Sequence, residues 1–109
     1  MITVTVTREN GTPVGFSVSG HANQGEYGED LVCAAVSAIV QTAILGITDV
    51  CHISAGVSIE DGRTHCILSK DATNEQLRNA AIVFDTMLKG LRSIQASYPR
   101  TINFRNKEV

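Results

Sequence analysis

The sequence is short of several things, and each shortage closes off a class of function. It has no tryptophan, and aromatics are only 5% of its 109 residues, which argues against a stacking platform for single-stranded bases. Lysine and arginine number 9 against 11 acids, a net charge of −2. Binding to nucleic acid or an anionic membrane through bulk positive charge is therefore not expected. Cysteine occurs three times, at Cys33, Cys51 and Cys66, with no Cys-x-x-Cys. An odd count without that motif speaks against a disulfide framework or a zinc ribbon. Cys33, His21, Cys51 and His52 follow no metal-ligand spacing, so neither metal nor other cofactor is expected. The longest apolar-rich run, Leu31 to Ile47, is interrupted by Ser37, Gln41 and Thr42 and falls short of a bilayer span. Met1-Ile2-Thr3-Val4 begins as a strand, with no basic region leading into an apolar stretch, so no secretory signal is expected. These absences describe a cytoplasmic protein of a reducing compartment, with neither nucleic acid nor membrane among its partners.

What is present is ordinary globular material. Hydrophobic residues are 43% and charged ones 18%, too apolar for disorder. The length suits a single domain over residues 1–109. Ile2, Val4 and Val6 alternate with threonines, the pattern of a half-buried strand. Phe16 and Val18 continue it after Asn10-Gly11. Pairing Val6 with Phe16 and Val4 with Val18 keeps the apolar residues on one face, which predicts a three- or five-residue loop with a bulge.

Residues 20–29 hold three glycines and no periodicity, and read as a loop. Asp30 then stands as an N-cap before Leu31-Val32-Cys33-Ala34-Ala35-Val36-Ser37, and Gly46 as a stop. This helix is apolar nearly all round, which predicts near-complete burial. Val57 and Ile59 open a third strand. Asp61-Gly62 is a hairpin turn that sets Ile59 against Thr64 and Val57 against Cys66, with all three apolar side chains turned to the core and His65 outward. Thr73-x-x-Gln76 is a capping box. It starts an amphipathic helix through Leu77, Ala80, Ala81, Phe84, Leu88 and Leu91 that Pro99 ends. Ile102 and Phe104 suggest a last strand. The order ββαββαβ predicts an α+β fold: a two-layer sandwich of an antiparallel sheet with two helices packed on one face.

Charge is divided along the chain. Between Arg8 and Arg63 there is no lysine or arginine, while Glu26, Glu29, Asp30, Asp49, Glu60 and Asp61 accumulate. From Met87 to Lys107 there are bases and no acid. A site in the glycine-rich segment would prefer a cationic partner.

Cys33 falls on the third helical residue if Asp30 is the cap, facing the positive end of the helix dipole, which favours a thiolate. The second strand ends at Gly20 and His21 begins the loop, with 11 residues between it and Cys33, enough for the chain to fold back. An imidazolium beside a thiolate lowers the sulfur's pKa, and the imidazole can later protonate a leaving amine. Gly25 and Gly28 would let the intervening loop move over a substrate. Ser37, four residues after Cys33, shares its helical face. Tyr27 would sit at the loop tip as a substrate contact or a cover for the helix. Cys51 and Cys66 read as structural residues.

Gly20-His21-Ala22 followed by Gly25-Glu26-Tyr27-Gly28-Glu29-Asp30-Leu31-Val32-Cys33-Ala34-Ala35-Val36-Ser37-Ala38 closely resembles the bacterial ribosomal-processing cysteine protease family, Prp. The resemblance runs over the whole chain. It implies a catalytic dyad of Cys33 and His21, supporting roles for Asp30 and Ser37, and a substrate loop containing Gly20, Gly25, Glu26, Tyr27 and Gly28. It further implies a cytoplasmic homodimer that removes the short N-terminal extension of a large-subunit ribosomal protein. Two other readings fit the residues. One is a non-catalytic ribosome-assembly domain that grips a basic peptide, which would lack a fast-alkylating cysteine. The other is a redox sensor, which needs a resolving cysteine near Cys33. Cys66 should face the core, and Cys51 lies beyond the far end of the helix, roughly 25 Å away at about 1.5 Å per residue.

Overall fold

The alternating strands and periodic helices pack into two layers. In the computed structural model the described residues are 1–21 and 27–109, with residues 27–30 described as backbone. The elements are β1 (Ile2–Glu9), β2 (Thr12–Ser19), α1 (Tyr27–Leu45), a π-helical turn (Gly46–Val50), β3 (Ala55–Glu60), β4 (Arg63–Leu68), α2 (Asn74–Ser97) and β5 (Ile102–Glu108). The strands form one sheet in the order β3-β4-β2-β1-β5.

The first hairpin has the expected apolar register, Val6 to Phe16 and Val4 to Val18. Its connection is shorter than expected. Asn10 and Gly11, both at positive φ, make a two-residue turn, and a register shift at Thr7/Arg8 restores the apolar pairing within the ladder. The β3–β4 hairpin pairs Val57 with Cys66 and Ile59 with Thr64, as the turn predicts.

The sheet is mixed, not antiparallel, because β5 runs parallel to β1. The direction follows from the path of the chain. Two antiparallel steps, β1 to β2 and β2 to β4, leave β4 parallel to β1. The single helix α2 then returns the chain, so the next strand must run the same way as β4. Arg92 of α2 stacks over the Phe104 ring at 4.2 Å and ties helix to strand.

One continuous core joins both helices to the same sheet face, including Val4 and Phe16 from the strands, Val36 and Val40 from α1, and Phe84 and Leu91 from α2. Phe16 and Phe84 meet edge to face at 5.6 Å. The capping box of α2 forms as predicted, with Gln76 N–H donating to Thr73 Oγ1 at 3.1 Å and the Thr73 N–H to Gln76 Oε1 at 2.9 Å.

Two burial expectations fail. The first helix is not sealed: Val32, Val36, Val40, Ala43 and Ile44 are buried, but Leu31, Ala34, Ala35, Ala38 and Leu45 are exposed. A helix lying on one sheet face can bury only the stripe that meets it, whatever its other side is made of. Helical structure also continues past Gly46 into the π turn, where Cys51 N–H donates to the Gly46 carbonyl at 2.9 Å. Leu31–Val50 is thus 20 residues with a mean hydropathy of 2.1, long and apolar enough by composition to cross a membrane, although its inner stripe is the core of this fold. The second failure is at β3, the edge strand, where Val57 and Ile59 are 40% and 53% exposed. They share the core face of the sheet with Cys66, but the edge projects beyond the helical layer.

Candidate active site

The position of His21 is built from the backbone upward. β2 ends at Ser19, which pairs with Arg63 at the start of β4. One residue on, the Gly20 N–H donates to the Gly62 carbonyl at 2.9 Å, so the end of β2 is held against the β3–β4 turn. Gly20 has φ +92, and a Cβ there would collide with the Met1 carbonyl oxygen. Only glycine satisfies both conditions. The chain leaves the sheet at this point and lays the His21 imidazole over Gly62. A Cβ built on Gly62 would stand 3.1 Å from His21 Nε2.

The opposite wall is α1. Cys33 is half-buried and Ser37, one turn later, is exposed. Both open into a cleft of about 300 Å³ that His21 and Gly20 also line. The hairpin segment Ile59 to Thr64 closes a further side, and Val18 and Val36 belong to the lining too. Thus Cys33, His21 and Ser37, read from the sequence as one site, share one cleft. A half-buried thiol and an exposed imidazole on the walls of one open cleft can serve an extended substrate as nucleophile and proton carrier.

The helix begins earlier than expected. α1 starts at Tyr27, so Asp30 is its fourth residue and not its N-cap, and Tyr27 and Gly28 are helical, not loop. Cys33 is accordingly the seventh helical residue. The amides without intrahelical partners are those of the first four residues, and the dipole effect fades beyond the first turn. Cys33 therefore does not sit at the helix end as the sequence suggests. Gly25 and Glu26, and with them the idea of a loop that moves over the substrate, fall outside the described residues.

The other cysteines behave differently. Cys66 is fully buried, and desolvation pushes its thiol from an ordinary 9.0 up to about 11. Cys51 is half-buried and packs at the margin of the core. His65 is exposed, as its outward register requires.

Several cleft residues were not singled out in the sequence. The sequence marks Gly62 only as a turn residue, and Ile59 as core. Glu60 and Asp61, two acids of the lysine- and arginine-free stretch, line the cleft together with Arg63. The signal that brings them there is the pairing of β2 with β4, a long-range contact that no local pattern announces.

Known proteins resemble this chain over nearly its whole length. The family model described as cysteine protease Prp matches residues 1–103. The ribosomal processing cysteine protease Prp of Staphylococcus aureus is 32% identical over 98% of this chain and 100% of its own. That of Bacillus subtilis is 30% identical, with 90% of each chain covered. Among solved structures, the S. aureus Prp with a covalently linked product peptide superposes with a TM-score of 0.81 at 29% identity, covering 98% of this chain and 100% of that one. SMU.848 from Streptococcus mutans gives a TM-score of 0.82 at 25% identity over 100% and 96% of the two chains.

Proposed function

This chain belongs to the cysteine protease Prp family, and from that premise we propose that it removes the short N-terminal extension of a large-subunit ribosomal protein, with Cys33 as nucleophile and His21 as its proton partner. The observation that carries the reading is that both side chains line one open cleft. The Cys33 proton passes to the His21 imidazole. The thiolate attacks the scissile carbonyl carbon, and the carbonyl electrons move onto oxygen. When the tetrahedral adduct collapses, the C–N bond breaks and the imidazolium gives its proton to the departing amine. Neutral His21 then takes a proton from water, and the resulting hydroxide attacks the thioester and releases Cys33.

Ser37 stands one turn from the nucleophile and supports it from the cleft wall. Asp30, in the first turn of α1, is the second supporting residue of this reading. Gly20, Gly25, Glu26, Tyr27 and Gly28 are the substrate-binding residues of this reading. Glu60 and Asp61 at the cleft suit a basic protein, since opposite charge speeds encounter. The same reading makes the enzyme a cytoplasmic homodimer. The exposed apolar side of the helical layer, with Leu31, Leu45 and Ile82, supports the dimer.

The test is incubation with a large-subunit ribosomal protein carrying its extension, followed by mass spectrometry. One cut that frees the extension is expected, with none by Cys33→Ala. Cleavage retained by that variant would overturn the assignment.

A further inference from the structure

Each hairpin of the sheet turns at a glycine held at positive φ, Gly11 at +81 and Gly62 at +76. The two turns meet very different surroundings. A Cβ added at Gly11 would find nothing within 4 Å. One added at Gly62 would stand 3.1 Å from His21 Nε2, 3.7 Å from Cε1 and 3.9 Å from Cδ2. The Nε2 edge of the imidazole therefore borders the space that a side chain at residue 62 would take. The same residue accepts a hydrogen bond from the Gly20 N–H through its carbonyl at 2.9 Å, and so also fixes the backbone immediately before His21.

From this we infer that Gly62, at the tip of the β3–β4 hairpin, is a positioning residue for His21: its missing side chain is the seat of the imidazole, and its carbonyl anchors the strand end that carries the ring. The inference rests on His21 being the proton partner of Cys33. It follows from two facts about the ring. His21 is exposed and lies two residues past the end of β2, outside the strand ladder, so the Gly62 contact bears directly on where its ring sits. Cys33 lies beyond the first turn of α1, outside the reach of the helix end, so in the proposed reaction its proton transfer turns on where the imidazole sits. Any side chain at residue 62 forces the ring away by a few tenths of an ångström. Proton transfer is sensitive on that scale, since a misplacement of about 1 Å can cost about a hundredfold in rate.

The experiment compares Gly62→Ala with Gly11→Ala. Both place a Cβ at a positive-φ turn and carry the same kind of backbone strain, but only the first touches the imidazole. Gly62→Asn is the second variant, because asparagine tolerates positive φ and separates strain from contact. Four readouts are taken: cleavage kcat and KM, the acid limb of the kcat/KM pH profile, the titration of the His21 Cε1–H resonance, and the melting temperature. Cys33, Glu60, Asp61 and Arg63 share the cleft with the ring and are unchanged in every variant.

For Gly62→Ala and Gly62→Asn, kcat is expected to fall about tenfold with KM changed less than about twofold. The acid limb and the His21 titration should both move. Gly11→Ala should lose melting temperature with kcat and the His21 resonance as in the wild type. If both Gly62 variants keep wild-type kcat and an unmoved His21 titration, Gly62 does not position the ring. If the wild type itself does not cleave, the proposed function fails first, and that outcome is read from the wild-type arm alone.

Discussion

Cys33 and Cys66 lie on opposite sides of one boundary. Cys33 is a half-buried residue of α1 at the wall of a cleft. Cys66 is a fully buried residue of β4, between the sheet and the helices, with its thiol held up to about 11. The side chains are chemically identical, so the contrast isolates what surroundings do to a thiol. Inside the core, the charged form has lost its water, so the sulfur stays protonated and acts as a small hydrophobe. At the cleft, the sulfur meets solvent and shares its cavity with an imidazole. Reactivity in this molecule is set by where the fold opens, and the fold opens where the edge strand and the outer helix flank leave the sheet uncovered.

The largest separation between the two sites should appear in catalysis. Replacing Cys33 by alanine is expected to reduce cleavage on the order of 10⁴-fold. Cys66→Ala should leave the rate within about twofold at temperatures where the fold is intact, as scored by mass spectrometry of the product. Equal losses in both variants would erase the distinction.

Alkylation sharpens the same contrast without a substrate. A thiol moved from 9.0 to about 11 carries about a hundredfold less thiolate near neutral pH, and only the thiolate attacks iodoacetamide. In peptide maps, Cys66 labelling should therefore rise at least about a hundredfold when urea unfolds the protein. Cys33 should label in the native state. Fast native labelling of Cys66 would mean that the core is not closed.

The second hairpin shows how much of this was legible in the sequence. Asp61-Gly62 and the alternation around it predict the β3–β4 register correctly, because a two-residue turn specifies its own pairing. The same reasoning buries Ile59, which is 53% exposed. Alternation tells which face a side chain takes, and says nothing of whether another layer covers that face. Similarly, Asp30 is a favourable N-cap residue, yet a cap contributes only about 1 kcal/mol, and α1 begins at Tyr27 instead. That Cys33 and His21 line one cleft was legible because they lie near the two ends of one connection between consecutive elements. The Gly62 seat was not, because it depends on β2 meeting β4 across α1 and β3.

A third way to probe the pair is through alkaline stability. The Cys66 thiol has a folded-state pKa above its ordinary value, so between about 9 and about 11 the unfolded chain gives up a proton that the folded chain keeps. The unfolded state then binds fewer protons, and stability falls as pH rises through this window. The full loss is about 3 kcal/mol, at about 1.4 kcal/mol per pH unit. It is absent below pH 9 and complete above pH 11. Urea titrations at pH 8 and pH 11 should show it in the wild type, and Cys66→Ala should lack this component. An unchanged difference in Cys66→Ala would assign the loss to other groups.

The smallest expected effect is the stability cost of alanine itself at neutral pH. Cys66→Ala leaves a small void in packed surroundings and should cost about 1 to 2 kcal/mol. Cys33→Ala, at a solvent-facing wall, should fall within about 0.5 kcal/mol. Chemical denaturation with matched m-values measures both. A reversed order would place the void at the cleft and not in the core.

The central claim is that the Cys33 sulfur forms a covalent bond to the substrate during cleavage. Acid quenching within the first turnover, followed by intact-mass and peptide mapping, tests it most directly. An acyl adduct is expected on the peptide containing Cys33, adding the mass of the N-terminal fragment less one water, and absent from Cys33→Ala. Cleavage that proceeds with no adduct there, or with the adduct on Cys51 or Cys66, would contradict it.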